Sequence, residues 1–295
     1  MQVSIIIVNY NTKNITYNCI QSIYKWTKDI DFEIILVDNN SSDSSVDYLY
    51  DYFPDVIYVR NKQNLGFGCA NNIGISLAKG KYVFLLNSDT LLLNNAVKMF
   101  YDFYETSFLN IGALGCLLLD FNEKIAHSYW KFPTISNVLL ENVRSHLRSF
   151  FRVKNVWLNK RKDHFFSVDY ITGADLFMAK DVVVKLGGFD KRFFMYYEET
   201  DLQYRMAEEG YGRYIISGPL IVHLEGASFE KKMTNTKRKM LDTSLFLYLK
   251  IHSPLYFYFL FRILYVLIRI PSFFNWRYSL SEKIDYLKLI INFSK

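Results

Sequence analysis

Cysteine is scarce in this chain of 295 residues: there are three, Cys19, Cys69 and Cys116, far apart and set in apolar surroundings. An odd number at such spacing excludes a disulfide framework and offers no zinc-ligand pattern, which leaves packing as their role. Glycine is missing from VNYNTKN, the turn after the first apolar run. A dinucleotide fold places G-x-G-x-x-G there, so a nicotinamide-dependent dehydrogenase is disfavoured. The N-terminus, MQVSIIIVNYN, lacks a basic region and a small-residue cleavage site. Its apolar run reads as a buried strand rather than a signal peptide, and a cytoplasmic protein is expected. No internal repeat or low-complexity run occurs. With 51% hydrophobic and 22% charged residues the chain can bury a substantial core, which argues against disorder.

Four short runs of Val, Ile, Leu and aromatics are present: VSIIIV at 3–8, FEIILV at 32–37, DVIYV at 55–59 and YVFLL at 82–86. Each is apolar at consecutive positions, as in strands covered on both faces. Between them Ile15, Cys19, Ile20 and Ile23, then Val46, Leu49, Tyr50 and Phe53, then Ala70, Ile73 and Leu77 recur at helical spacing. Strand and helix in alternation predict an α/β fold with a mostly parallel, Rossmann-like sheet flanked by helices. In such a sheet ligands bind outside the carboxyl ends of the strands. The residues at those ends are polar: Asn9, Tyr10 and Asn11; Asp38, Asn39 and Asn40; Arg60, Asn61 and Asn64; Asn87, Ser88 and Asp89. Asn and Asp also serve simply as turn formers after strands, so a ligand rim and a set of turns compete at each tip. Four coincident polar tips favour a shared site. A glycine-bearing stretch, NLGFGCANNIG, leads from the third strand into a helix whose amides suit phosphate.

VNYN, VDNNSSD, NLGFGCANNIG, LLNSDT, TGADLFM, GGFD and MYYEETDLQYR follow one another over about residues 3–228. In order and spacing this set resembles glycosyltransferase family 2, the inverting enzymes of the GT-A fold, and within it bacterial rhamnosyltransferase-like members. The resemblance implies that residues 1–230 form a nucleotide-sugar-binding and catalytic domain. It implies a UDP- or dTDP-sugar donor, dTDP-rhamnose among them, and a cell-surface polysaccharide or lipid-linked acceptor. Asp38 would contact the pyrimidine, whose imino N–H a carboxylate accepts. Asn9 and Tyr10 would sit beside base and ribose with Asn11 and Asn39 on the same rim, and Asn64, Gly66 and Asn71 would face ribose and diphosphate. The metal-binding D-x-D falls on Asn87, Ser88 and Asp89, with asparagine for the first acid. Asp89 would hold Mg²⁺ or Mn²⁺ with the donor diphosphate, and His223 in IVHLEGAS matches a later histidine that completes such sites. Asp175 in TGADLFM would lie on the strand beneath the sugar. The general base falls among Glu198, Glu199 and Asp201, with Glu199 at the usual base position. Asp201 also stands at i,i+4 to Arg205, which offers it a purely structural role, and Leu202 and Met206 read as the buried stripe of that helix.

The +6 net charge is unevenly spread: residues 231–295 hold twelve Lys/Arg against three Asp/Glu, leaving 23 against 26 in residues 1–230. The change of character near Glu230 marks the boundary of a second, basic and aromatic helical region, 231–295. Its apolar run 254–276 offers sixteen residues between Pro254 and Pro271, interrupted by Arg262 and Arg269, whereas crossing takes about 20. Spanning is marginal. Seven residues apart, the arginines share a helical face, which would reach lipid phosphates while the aromatic face enters the interface, or snorkel to water if the helix packs on protein. A second cluster, Arg144 to Lys162, has seven Lys/Arg and no acid. The apolar strip lacks the spaced stacking platforms of a nucleic-acid groove, so the expected location is peripheral, on the inner face of the plasma membrane. Two other readings compete: a catalytically silent nucleotide-sugar-binding scaffold of a polysaccharide assembly complex, favoured by Asn87 and Glu199, and a nucleotidyltransferase, disfavoured by the plain first turn.

Overall fold

The computed structural model describes residues 1–150, 164–224, 234–270 and 278–292, with side chains omitted from 145–150. By backbone contacts the chain divides into two compact units, Met1–Lys131 with Asp163–Lys231, and Phe132–Lys162 with Lys232–Lys295.

The first unit opens with β1 (Val3–Asn9), α1 (Lys13–Trp26), β2 (Phe32–Asp38), α2 (Ser45–Tyr52), β3 (Ile57–Arg60), α3 (Phe67–Leu77) and β4 (Tyr82–Leu86). The four strands run parallel in the order β3-β2-β1-β4, so the order reverses at β1. Burial of most of β1 and β2 and all of β4 explains their largely apolar sequence, with Ser4 and Glu33 paired to each other across β1 and β2. β3 is only half-buried at the sheet edge, and its strand begins two residues later than the apolar run predicts. Helix α3 packs tightly on β1, since a Cβ at Gly74 would stand 2.5 Å from the Ile6 side chain. Cys19 and Cys116 are buried core residues, and Cys69 is half-buried.

The chain continues through β5 (Thr90–Leu92), α4 (Ala96–Thr106), β6 (Ile111–Cys116), β7 (Tyr129–Trp130), α5 (Ile135–Phe150), β8 (Phe165–Ser167), β9 (Tyr170–Ile171) and β10 (Asp175–Ala179). Next come α6 (Lys180–Lys185), α7 (Glu198–Glu208), β11 (Gly212–Ile216) and β12 (Ile221–His223). Beyond β4 the sheet runs β10-β6-β11-β8, with β10 antiparallel to both neighbours. The result is a mixed α/β unit with a central, mostly parallel sheet flanked by helices.

The second unit contains α5 together with α8 (Asn235–His252), α9 (Leu255–Arg269) and α10 (Leu280–Ile291). Residues 132–162, read above as part of the first region, group here because α5 packs against α9. The basic run 144–162 lies almost entirely outside the described side chains. Arg262 and Arg269 do share a face of α9, but that face turns toward the neighbouring helices, with Arg262 fully buried and Arg269 mostly so. Arg262 is fully buried, donating to the Tyr258 hydroxyl at 2.8 Å and to the carbonyls of Ile290 and Asn292 at 2.9 Å. Arg269 donates to Tyr265, whose hydroxyl donates to the buried Asp242. The cause lies at the end of α10: the last carbonyls of a helix lack internal partners, and a guanidinium presents enough donors to satisfy several at once. Among the described residues no helix is long and apolar enough to cross a membrane.

Candidate active site

The polar strand ends named from the sequence lie along one edge of the first unit, and short contacts join them. Asn9 and Asp38 end β1 and β2 in register. Asn9 Nδ2 donates to Asp38 Oδ1 at 2.7 Å and to Ser41 Oγ at 3.0 Å, while its Oδ1 accepts from Thr12 and Thr16, both at 2.8 Å. Asn9 is thus a fully engaged brace. Asp38 is buried, and its second oxygen accepts the Ser41 backbone N–H at 3.0 Å. Tyr10 is exposed on the rim, and Asn11, in a left-handed conformation, accepts from Ser42.

Asn39 is equally engaged. Its amide donates to Asn64 Oδ1 and the Gly66 carbonyl, and its oxygen accepts from Asn61 Nδ2 and the Leu65 N–H. These bonds shape the turn entering α3. Gly66 caps that helix at φ +81°, and a Cβ there would stand 2.0 Å from the Phe194 carbonyl oxygen, which accepts the Phe67 N–H at 3.0 Å. Only glycine fits, for both reasons. Asn71 is buried one turn into α3 and donates back to the Phe67 carbonyl.

Behind β4, Ser88 Oγ lies 3.3 Å from Thr12 Oγ1, and the Asn87 N–H donates to the Ala174 carbonyl at 3.0 Å. Asn87 Oδ1 is buried without a hydrogen-bond partner. Asp89 is buried, and its Oδ1 lies 3.2 Å from His223 Nε2. The antiparallel pairing of β5 with β12 sets Thr90 opposite His223 and so brings the histidine beside the acid. Asp175, fully buried at the start of β10, accepts the Cys116 N–H at 2.7 Å and leaves Oδ1 unpartnered. Burial pushes its pKa up to about 7.

Helix α7 carries the three remaining acids, and they differ. Tyr196 and Tyr197, immediately before it, both hold left-handed φ (71° and 68°), an arrangement costing about 1 kcal/mol or more per non-glycine residue. Glu198 is buried with Oε2 unpartnered, and desolvation, then the neighbouring Glu199 charge, raises its pKa well above the carboxylate range. Glu199 is half-buried. Its Cγ lies 3.7 Å from the place a Cβ on Gly173 would take, and the Phe67 ring is 3.3 Å from the same point. Desolvation pushes Glu199 up to about 7. Asp201, by contrast, is buried in an ion pair with Arg205, which reaches Oδ2 through Nε at 3.0 Å and Nη2 at 2.8 Å. Arg205 also donates to the carbonyls of Leu186 and Gly188, so the pair ties α7 to the G-G-F-D turn. Leu202 and Met206 are buried, as their spacing predicts.

Several positioning residues are not singled out by the sequence, although Gln203, Asn72 and Ser41 lie within the stretches quoted above. Gln203 bonds both the N–H and the carbonyl of Ile171 and thereby fixes α7 against β9. Asn72 does the same for Phe189. Thr12, Thr16 and Ser41 hold Asn9, and only their clustering around strand-end asparagines hints at it.

A family model for glycosyl transferase family 2 matches residues 4–152. The chain belongs to glycosyl transferase family 2. Among the relatives of this family 2 chain, the poly(ribitol-phosphate) beta-glucosyltransferase of Bacillus spizizenii is 34% identical over 108 residues, 35% of this chain and 17% of the relative. The N-acetylglucosaminyl-diphospho-decaprenol L-rhamnosyltransferase of Mycobacterium tuberculosis is 23% identical over 206 residues, 64% of this chain and 66% of that protein. The crystal structure of GalNAc-T7 with UDP, GalNAc and Mn²⁺ superposes with a TM-score of 0.55 at 16% identity, covering 82% of this chain and 48% of that one. At that identity the likeness establishes the shared GT-A-like fold. The chain spans less than two thirds of the length of each of these proteins.

Proposed function

We propose that the protein is a metal-dependent inverting glycosyltransferase that moves a sugar from a UDP- or dTDP-linked donor, dTDP-rhamnose among them, to a glycan or lipid-linked acceptor at the inner membrane face. The observation that supports this reading most is that two features are linked through one backbone hydrogen bond between neighbouring strands. One is the buried Asp89–His223 pair; the other is a carboxyl, Glu199, poised near neutrality against Gly173 and Phe67, with Ala174 hydrogen-bonded to Asn87 between them.

In this reading Asp38, held by Asn9 and the Ser41 N–H, keeps lone pairs for the imino N–H of uracil or thymine. The donor diphosphate runs past Gly66 and the start of α3. A carboxylate oxygen and an imidazole nitrogen 3.2 Å apart suit Mg²⁺ or Mn²⁺, and the unpartnered Asn87 Oδ1 adds a hard oxygen nearby. Among the described residues no three His, Cys, Asp or Glu side chains could hold an ion by themselves, so donor oxygens complete the set. The bound cation supplies Lewis-acid stabilisation of the negative charge that develops on the departing diphosphate. Glu199 takes the proton of the acceptor hydroxyl as its oxygen forms a bond to the anomeric carbon. The bond to the nucleoside diphosphate breaks on the opposite face, and the configuration inverts. A pKa near 7 suits a base acting at neutral pH.

Thermal shift of the purified protein against nucleotide sugars with Mg²⁺ or Mn²⁺ tests the proposal. A donor at 100 times its Kd adds about 2.7 kcal/mol to stability. If no pyrimidine nucleotide sugar raises Tm with either metal, the reading fails. Stabilisation without transfer to any acceptor would favour the scaffold instead.

A further inference from the structure

Helix α9 is turned inside out for a helix in water. Its charged residues face the interior with Tyr258, Phe261 and Tyr265, whereas the outward face bears only apolar and aromatic side chains. Tyr256 is 76% exposed, Phe257 54%, Ile263 52% and Leu267 56%, with Leu260 and Leu264 between them on the same stripe. A surface helix of a soluble protein shows the opposite arrangement, and a continuous exposed apolar stripe marks a contact with something other than water. Exposed Leu280, Ile284 and Ile291 repeat the pattern on α10.

Two observations choose the occupant. Residues 231–295 carry twelve Lys/Arg against three Asp/Glu, so two copies of this region repel each other while an anionic surface attracts it. Fifteen residues of helix measure about 22 Å, short of the ~30 Å hydrocarbon core, so α9 fits along the membrane plane rather than across it. We infer that the outward face of α9 is a lipid-docking surface that lies in the headgroup region of an anionic bilayer. Arg262 holds α9 against the end of α10 and Arg269 is engaged by Tyr265 and Asp242, so the apolar side chains supply the insertion and the net positive charge of the region the attraction. This deepens the proposed function, on which it rests for its purpose: it names how an enzyme with a lipid-linked acceptor reaches that acceptor.

The test uses the full chain and sedimentation with vesicles of phosphatidylcholine and phosphatidylglycerol in equal parts. The variant Leu260→Ser/Ile263→Ser/Leu267→Ser alters only exposed positions. A leucine-sized side chain contributes about tenfold or more when fully buried, so with partial insertion the variant should bind these vesicles on the order of 100-fold more weakly. Its Tm, and its Tm shift with UDP and Mn²⁺, should match the parent's. A parent that does not sediment with the vesicles, or a variant that binds them equally well, overturns the proposal. A variant whose main change is dissociation of a parent dimer, read by light scattering without lipid, overturns it in favour of self-association. Vesicle binding that persists in a protein with no affinity for any nucleotide sugar sinks the glycosyltransferase reading and leaves the docking surface standing.

Discussion

Glu199 and Asp201 sit two residues apart on α7, and the structure predicts opposite consequences for removing them. Asp201 is buried and its Oδ2 receives two bonds from Arg205. Asp201→Ala leaves that guanidinium with its charge uncompensated beside the Leu186 and Gly188 carbonyls. Breaking one side of a buried pair costs about 3–5 kcal/mol, and because Arg205 is partly exposed the lower end applies here. Glu199→Gln keeps a side-chain oxygen that can accept the backbone N–H groups of Glu199 and Thr200 and relieves the desolvation of an acid, so stability holds or rises slightly. Transfer, however, should fall by about 10²- to 10⁴-fold, the usual range for a general base. The assay pairs urea unfolding with transfer at saturating donor, each variant measured well below its own unfolding midpoint. The expected pattern is crossed: Asp201→Ala unstable but active per folded molecule, Glu199→Gln stable but inactive with donor affinity intact. Normal turnover in Glu199→Gln, or a stable and inactive Asp201→Ala, would refute the division of labour.

Other outcomes follow from the same geometry. Transfer by the parent should rise with pH through about 7, because the base acts ionised, and a profile flat across that region would remove Glu199 from the role. Stability should move the other way: Glu199 and Asp175 hold their protons more tightly folded than unfolded, so between pH 4.5 and about 7 the fold loses stability as pH rises, and Glu199→Gln should shrink that slope in unfolding titrations. Gly66→Ala meets the Phe194 carbonyl at 2.0 Å and an unfavourable φ, and should cost about 1–3 kcal/mol with loss of donor binding, read by Tm and nucleotide titration. Arg262→Leu leaves the α10 carbonyls without their donor and should lower helicity and Tm by circular dichroism, whereas a surface arginine would leave both unchanged.

Local signals in the sequence carry β1, β2 and β4, because a strand covered on both faces is apolar over most of its length. They carry β3 less well, since an edge strand needs only half that pattern. The pairing of Thr90–Leu92 with Ile221–His223 is invisible locally, as it joins segments some 130 residues apart. His223 therefore entered only through resemblance. Asn9 and Asn39 read as ligand contacts in sequence, and the structure shows their amides also bonded within the turns, a second role the sequence does not reveal because an amide side chain suits a turn and a nucleotide equally well. Arg262 is misjudged for a related reason: spacing fixes which residues share a face but not which face is covered, and the α10 carbonyls that draw it inward come from 27 or more residues away.

The account turns on Asp89 meeting the donor through a cation. Calorimetric titration of UDP into the parent and into Asp89→Ala, each with and without Mn²⁺, addresses this directly. The parent should bind UDP more tightly when Mn²⁺ is present, the variant should show no such gain, and the two should agree when the metal is absent. An equal gain in Asp89→Ala, or none in the parent, would contradict the proposed site.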